Sequence, residues 1–268
     1  MEHSSTRPLL HQNGALFHKR DDYGETCCGL GCNELVLRLS EPTQRCLLER
    51  CERVSLSKGQ VLYDRGTPLR HGYFIESGGC SITTRAGDSL PVEIHTLGMK
   101  DFVGVPLVLG MHTSPHRCTV RVAGQALRIQ SNELIALIKR EAELEKMILG
   151  YVQAILIHSS QLAACNSRHS LHQRLARWLV VASDRLGSPE VPFTHSYIAN
   201  ALAVRRAGIT VAVGDLVREG VIRSRRAGMV ITDLARLKGM ACECQGIILS
   251  AHNRYCTARP SASHIRKQ

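Results

Sequence analysis

Two sets of residues in this chain have types and spacings that could do chemistry: cysteines and arginines. Of the eleven cysteines, Cys27, Cys28 and Cys32 cluster near the start, Cys242 and Cys244 form a C-x-C near the end, and the rest are scattered. Thiolates bind soft metals, hold iron–sulfur clusters or exchange electrons. Cys27, Cys28 and Cys32 are the candidates for a metal centre. However, adjacent Cys27 and Cys28 cannot easily both ligate one cluster at the usual spacing, and no motif supplies a fourth ligand. The reading taken is that they are incidental free thiols. Cys242 and Cys244 could be a redox pair, a metal site or two packed thiols. With no spaced partner pair they do not make a structural zinc motif, and packed thiols are expected. The odd count argues against a disulfide framework. No metal and no cofactor is therefore expected.

The arginines are more telling. Arg205 and Arg206 are adjacent, and Arg223, Arg225 and Arg226 fall within the turn R-S-R-R-A-G. A guanidinium bonds bidentately to guanine or to phosphate. The sequence carries no P-loop, no G-x-S-x-G and no H-E-x-x-H. No catalytic constellation is visible, and the chain is not expected to be an enzyme.

Composition agrees with a nucleic-acid partner. The chain has 268 residues, 44% hydrophobic and 21% charged, which is globular composition. Aromatics at 4% argue against a protein that stacks single-stranded bases. No apolar run approaches the roughly 18–20 residues of a membrane helix, so no membrane partner is expected. The N-terminus has no compact apolar stretch and no cleavage site of small residues, and a cytoplasmic location is expected. The net charge is +11, divided as +1 over residues 1–167 and +10 over residues 168–268. A basic part beside a neutral part suggests a nucleic-acid module joined to something else.

The elements that must position these residues can be sketched. Residues 1–33 lack sustained period and are expected to be a flexible arm. A short helical entry interrupted at Pro42 follows. Over 54–130, within an expected sensor barrel of 34–130, short apolar runs alternate with turns marked by Gly59, Gly66, Gly78, Gly79, Gly87, Gly98 and Gly104, which reads as a sandwich or barrel. Residues 131–166 turn to helical period, with Ser131 as expected N-cap. Leu144, Ile148, Tyr151, Ile155, His158, Leu162 and Cys165 fall at alternating spacings of four and three. That narrow seam predicts a two-stranded homodimer interface. A second amphipathic helix runs over 171–187 and stops at Gly187.

Residues 194–232, inside an expected DNA-binding domain over 167–240, carry the most informative pattern. Thr194 is an N-cap candidate before a helix whose Ile198, Ala199 and Leu202 share one face. The turn Ala203-Val204-Arg205 leads to a second helix with Ile209, Ala212, Val213 and Leu216 on one face, ended by Gly220. Apolar residues 221–222 and 229–231 flank the basic turn. This is a helix-turn-helix followed by a two-stranded wing. Residues 241–268 read as a C-terminal tail.

Here the chain resembles the CRP/FNR superfamily of bacterial transcription regulators. LSKGQVLYDRGTPLRHGYFIESGGCSI resembles the family's first barrel strands, and DFVGVPLVLG falls where its ligand-binding cassette lies. QRLARWLVVASDRL resembles the helix joining dimer interface to DNA head, and FTHSYIANALAVRRAGITVAVGDLVREGVI its winged helix-turn-helix. The resemblance spans roughly residues 50–235 in one collinear order. It implies an α+β fold: a cyclic-nucleotide-binding-like β-barrel of the jelly-roll kind, a long dimerisation helix and a C-terminal winged helix-turn-helix. It implies a homodimeric, sequence-specific regulator on a two-fold operator in double-stranded DNA, acting as an activator with RNA polymerase as partner.

The second helix enters the major groove by its N-terminus in such proteins. Arg205 and Arg206 open it, and Arg206 matches the family's base-reading arginine. Thr210 lies one turn on. Thr194, His195 and Ser196 would meet phosphate, and Arg223, Arg225 and Arg226 would seat the wing on the backbone. Ala203 replaces the usual turn glycine, Ala207 and Val211 replace the family's glutamate and second arginine, and Gly208 lies inside the recognition helix. A different base sequence is therefore expected.

The effector-pocket candidates are Gly104, Val105, His116, Arg117, Ser159 and Ser160. Val105 stands where cyclic-AMP binders of the family have a glutamate, and His116-Arg117 where they have arginine and serine. The charge-assisted contacts to a ribose and a cyclic phosphate are lost. An altered effector site is expected. Alternatives are an iron–sulfur or thiol redox-sensing regulator of the same family, a small-molecule-binding barrel without a regulatory role, and a module that no longer binds DNA.

Overall fold

The computed structural model describes residues 33–257 except 86, 88 and 89, with side chains through residue 254. Cys27, Cys28 and Cys32 lie outside the described residues. The first long helix, α1 (Glu41–Leu48), carries Pro42 in its opening turn. Proline lacks the N–H that a first turn leaves unpaired, so Pro42 starts this helix and does not interrupt it.

The alternating apolar runs become eight strands: β1 (Glu52–Leu56), β2 (Val61–Tyr63), β3 (His71–Ile75), β4 (Gly79–Thr84), β5 (Val92–Leu97), β6 (Phe102–Val103), β7 (Arg117–Val122) and β8 (Gly124–Gln130). They pair antiparallel in two four-stranded sheets, ordered β1-β8-β3-β6 and β2-β7-β4-β5. Such non-sequential orders are those of a jelly roll. Phe74, Ile75, Leu97, Phe102, Val120 and Ile129 fill the space between the sheets. A short helix, α2 (Val105–Val108), follows β6.

The helical stretch from 131 is two helices, α3 (Ser131–Arg140) and α4 (Ala142–Arg168), parted at Glu141, whose backbone is extended at φ −105° and ψ 92°. Ser131 is the first helical residue of α3. The cap position is Gln130, which makes no side-chain bond, so Ser131 is not the N-cap. α4 is long and apolar enough to cross a membrane by length and composition, with 33% of that window buried in the protein. Gln153, His158, Ser159, Ser160 and Gln161 interrupt it, so no continuous apolar run stood out in the sequence.

The expected dimer seam is corrected by the packing. Leu144, Ile148, Tyr151, His158 and Cys165 are buried by their own chain, and Ile155 packs against the barrel core. These residues are the inner face of α4. A narrow heptad stripe and the edge of a domain core have the same period, and period alone does not say what covers it. The large exposed apolar residues of α4 are Leu149, at 48% exposure, and Leu156, at 56%. They are seven residues apart, with Ala163 exposed a further seven on.

Beyond α4 the chain forms a second core. α5 (Leu171–Leu186) opens on a capping box between Ser170 and Gln173 and closes on Gly187, left-handed at φ 58°. Strand β9 (Glu190–Val191) comes next, then α6 (His195–Ala201), α7 (Arg206–Arg218), β10 (Ile222–Arg225), β11 (Gly228–Ile231) and α8 (Leu234–Met240). The wing has three strands, ordered β10-β11-β9. Its third member, β9, falls where the sequence read only a turn. Ile198, Ile209, Leu216, Val221, Ile231 and Leu237 close the core over Trp178 and Leu179. The expected tail contains a further helix, α9 (Cys244–Thr257), which lies along α4.

Candidate DNA interface and effector cleft

Local chemistry builds the helix-turn-helix. The Thr194 hydroxyl accepts from the Tyr197 N–H and caps α6, satisfying one of its orphan donors. Ala203 turns the chain at φ 52°, the only non-glycine with positive φ among the described residues. The left-handed region costs an L-residue roughly 1–2 kcal/mol, so this turn is held by the packing of Ile198 and Leu202 on α7. Gly208 sits where α7 crosses α5, and a Cβ there would come within 3.0 Å of Leu171.

Arg206 is the first residue of α7 and Arg205 its cap position, with no side-chain cap bond. Arg205, Arg206, Arg223, Arg225 and Arg226 are all exposed. None of the five takes part in an ion pair among the described residues, whereas Arg218 pairs with Asp215 and Arg236 with Glu219. Thr210 bonds back to the Arg206 carbonyl at 3.1 Å, and His195 Nδ1 lies 3.3 Å from the Thr210 hydroxyl, tying the start of α6 to α7. Ser196 is exposed beside His195. Val211, one turn along α7 from Arg206 and Ala207, is 65% exposed. In the sequence it stands only as a departure from the family. An apolar residue that the helix-turn-helix core leaves out was the available signal.

The effector candidates do not converge. Arg117 turns outward to a bidentate pair with Asp64, which holds that carboxyl at about 2. The Ser160 hydroxyl bonds to the Leu156 carbonyl of its own helix. Gly104 caps α2 at φ 140°, and a Cβ there would lie 2.6 Å from the Phe102 ring. Val105 packs against the barrel core, and His116 is half-buried, its imidazole pushed down by burial. Ser159 meets His95 Nε2 at 3.1 Å, and His95 Nδ1 lies 3.4 Å from His158 Nδ1. The cleft bounded by Glu93, His95, His158, Leu162, Arg177 and Trp178 holds about 30 Å³, which is space for a water molecule.

Sequence reasoning missed the polar network around this cleft. Glu93 on β5 accepts from Trp178 Nε1 at 3.0 Å, from Thr96 Oγ1 at 2.7 Å and from the Tyr197 hydroxyl. One barrel carboxylate thus holds both α5 and α6. Deeper, His252 of α9 stacks edge-on with Tyr151 and His158, each at 6.0 Å, and Tyr151 donates to Asp101 at 3.2 Å. Arg185 lies 3.5 Å from Asp101, both fully buried. These residues are scattered along the sequence, so no spacing could announce them.

Two family models match the chain: the cyclic nucleotide-binding domain over residues 53–141 and the Crp-like helix-turn-helix domain over residues 173–240. No curated protein matches it. Solved structures similar to it include the c-di-GMP responsive global regulator of Xanthomonas campestris, with a TM-score of 0.59 at 17% identity, covering 72% of this chain and 99% of that one. A CRP/FNR family regulator from Thermus thermophilus has a TM-score of 0.57 at 21% identity, covering 71% and 98%. A CRP family regulator, also from Thermus thermophilus, has 0.56 at 20%, covering 70% and 96%. A nucleotide-binding-type barrel, a long helix and a Crp-like winged head stand here in that family's order, and the chain belongs to the CRP/FNR superfamily of DNA-binding transcription regulators.

Proposed function

We propose that this regulator acts as a homodimer on a two-fold operator, reading bases with α7 and gripping phosphate with the wing, without cyclic AMP. The observation that carries the reading is the set of five exposed arginines, unpaired among the described residues, at the start of α7 and on the wing. On this reading Arg206 bonds a guanine and Thr210 orders the helix start. Val211 offers an apolar contact to a thymine methyl. Thr194, His195 and Ser196 approach phosphate from α6. The sensor barrel spans 34–130, the dimerisation segment 131–166 and the DNA head 167–240. Partnership with RNA polymerase, an activating role and a cytoplasmic location follow from the family resemblance.

The dimer contact we assign to the Leu149, Leu156 and Ala163 stripe of α4, because their own chain leaves these apolar residues exposed. Independence from cyclic AMP is supported by the outward pairing of Arg117 with Asp64 and by Val105 in place of a carboxylate. Operator affinity should be the same with and without the nucleotide. Calorimetry showing micromolar cyclic-AMP binding with a matching rise in DNA affinity would overturn this part.

Base readout is tested by measuring binding to a selected site and to random duplex across a salt series. Arg206→Ala should cost about 1–3 kcal/mol on the selected site and little on random DNA. Arg225→Ala should weaken both alike and flatten the salt slope by about 0.9. Equal losses on both DNAs for Arg206→Ala would mean that it touches only phosphate.

A further inference from the structure

The C-x-C that the DNA-binding reading leaves unused meets partners that the sequence did not show. Cys165 and His169 are one turn apart at the end of α4 and share a face. Cys242 and Cys244 come from the bend between α8 and α9. The three sulfurs and one imidazole nitrogen all lie within 4.8 Å of one another. Cys165 Sγ is 3.5 Å from Cys242 Sγ, and Cys244 Sγ is 3.5 Å from His169 Nδ1. The three cysteines are buried.

We propose that Cys165, His169, Cys242 and Cys244 form a closed, four-coordinate metal site that takes zinc. Bonds of about 2.3 Å to sulfur and about 2.0 Å to nitrogen give tetrahedron edges of about 3.5–3.8 Å; two ligand pairs already stand at 3.5 Å, and the full set within 4.8 Å closes on a metal with small side-chain shifts. Three soft thiolates and one imidazole select zinc over the hard cations. The surroundings are those of a ligand set. The Glu243 carboxylate lies 3.3 Å from His169 Nε2, which turns Nδ1 to the metal side. Gln161 Nε2 donates to Cys244 Sγ at 3.1 Å. Arg174 lies near enough to Cys165 and Cys242 to interact with their charge, and a dipositive ion with three thiolates leaves one negative charge for it to balance. A polynuclear iron–sulfur cluster spreads its four protein ligands over two or more irons and needs some of them farther apart than these four, which all lie within 4.8 Å of one another. Binding displaces three thiol protons to solvent and involves no redox change.

The position gives the site a consequence. His169 is the junction where α4 gives way to α5, and Cys242 and Cys244 join the end of the winged head to α9. Zinc there fixes the DNA head against the long helix of the barrel.

The test uses the full chain, purified under reducing conditions, stripped of metal and titrated with Co(II), with zinc content measured separately. One zinc per chain is expected, with the visible bands of tetrahedral cobalt and a thiolate charge-transfer band. Cys242→Ser should abolish these bands. A variant with Cys27, Cys28 and Cys32 all changed to serine should keep them, which separates this site from the N-terminal thiols. Glu243→Gln alters an exposed carboxylate that the fold does not need, and should weaken zinc about 10-fold or more while leaving the bands in place. Absence of metal, an octahedral cobalt spectrum, bands unchanged in Cys242→Ser, or a Cys165–Cys242 disulfide in the reduced preparation would overturn the proposal.

Discussion

Acid should weaken this fold well before its exposed carboxylates titrate, because three imidazoles are buried between the barrel, α4 and α9. His95 is pushed down from 6.5 to about 4 by burial, then by Arg185 and His116. His252 is pushed to about 2 by burial, then by Arg185, His95 and Lys100. His158 lies well below its ordinary value for the same first reason, with His95 next. The geometry agrees: Nδ1 of His95 can donate to Nδ1 of His158 only while the second ring is neutral. Between the folded and unfolded values, the unfolded chain takes up protons that the folded chain refuses. Stability is therefore full above about pH 6.5 and falls as the pH drops toward the folded values. Each imidazole costs about 1.4 kcal/mol per pH unit once the unfolded chain is mostly protonated. From pH 7 to pH 5 that is about 2 kcal/mol per ring and about 6 kcal/mol for three, a large part of a typical domain's stability. Urea unfolding at pH 7, 6 and 5, followed by fluorescence of the single tryptophan, Trp178, measures it. His252→Phe keeps a ring against Tyr151 and should remove about a third of the pH slope. Equal stability at pH 7 and pH 5, or a slope unchanged in that variant, would refute the reasoning.

Two other predictions follow from packing. Leu156→Lys should give monomers in sedimentation with folding stability nearly intact, whereas Ile155→Lys should lower stability because that side chain packs on the barrel core; a dimeric Leu156→Lys would return the interface to another face. Ala203→Gly should raise stability by about 1 kcal/mol, since glycine adopts a φ of 52° without the penalty alanine carries; a lower melting temperature would show that the turn is not strained.

Local rules make much of this protein legible in its sequence. Glycine-punctuated alternation is enough to announce a barrel of short strands, because turns and pleats have local signatures. The Thr194 cap, the two apolar faces of the helix-turn-helix and the stop at Gly220 depend on residues within a turn or two of one another. The concentration of charge after residue 168 also needed only counting. What depended on long-range packing was out of reach. The stripe from Leu144 to Cys165 has the period of a dimer seam, and only the barrel and α9 laid against it show it to be the inner face. Arg117 fell at a pocket position in the sequence, and it is Asp64, 53 residues away, that turns it outward. Cys242 and Cys244 lacked a partner pair within any motif spacing. The fold supplies one from Cys165 and His169, 77 and 75 residues away, because α9 returns along α4. Periodicity and capping are properties of a segment, and a sequence states them directly. Which segment covers which face, and which distant side chains share one buried volume, is settled only when the chain closes on itself.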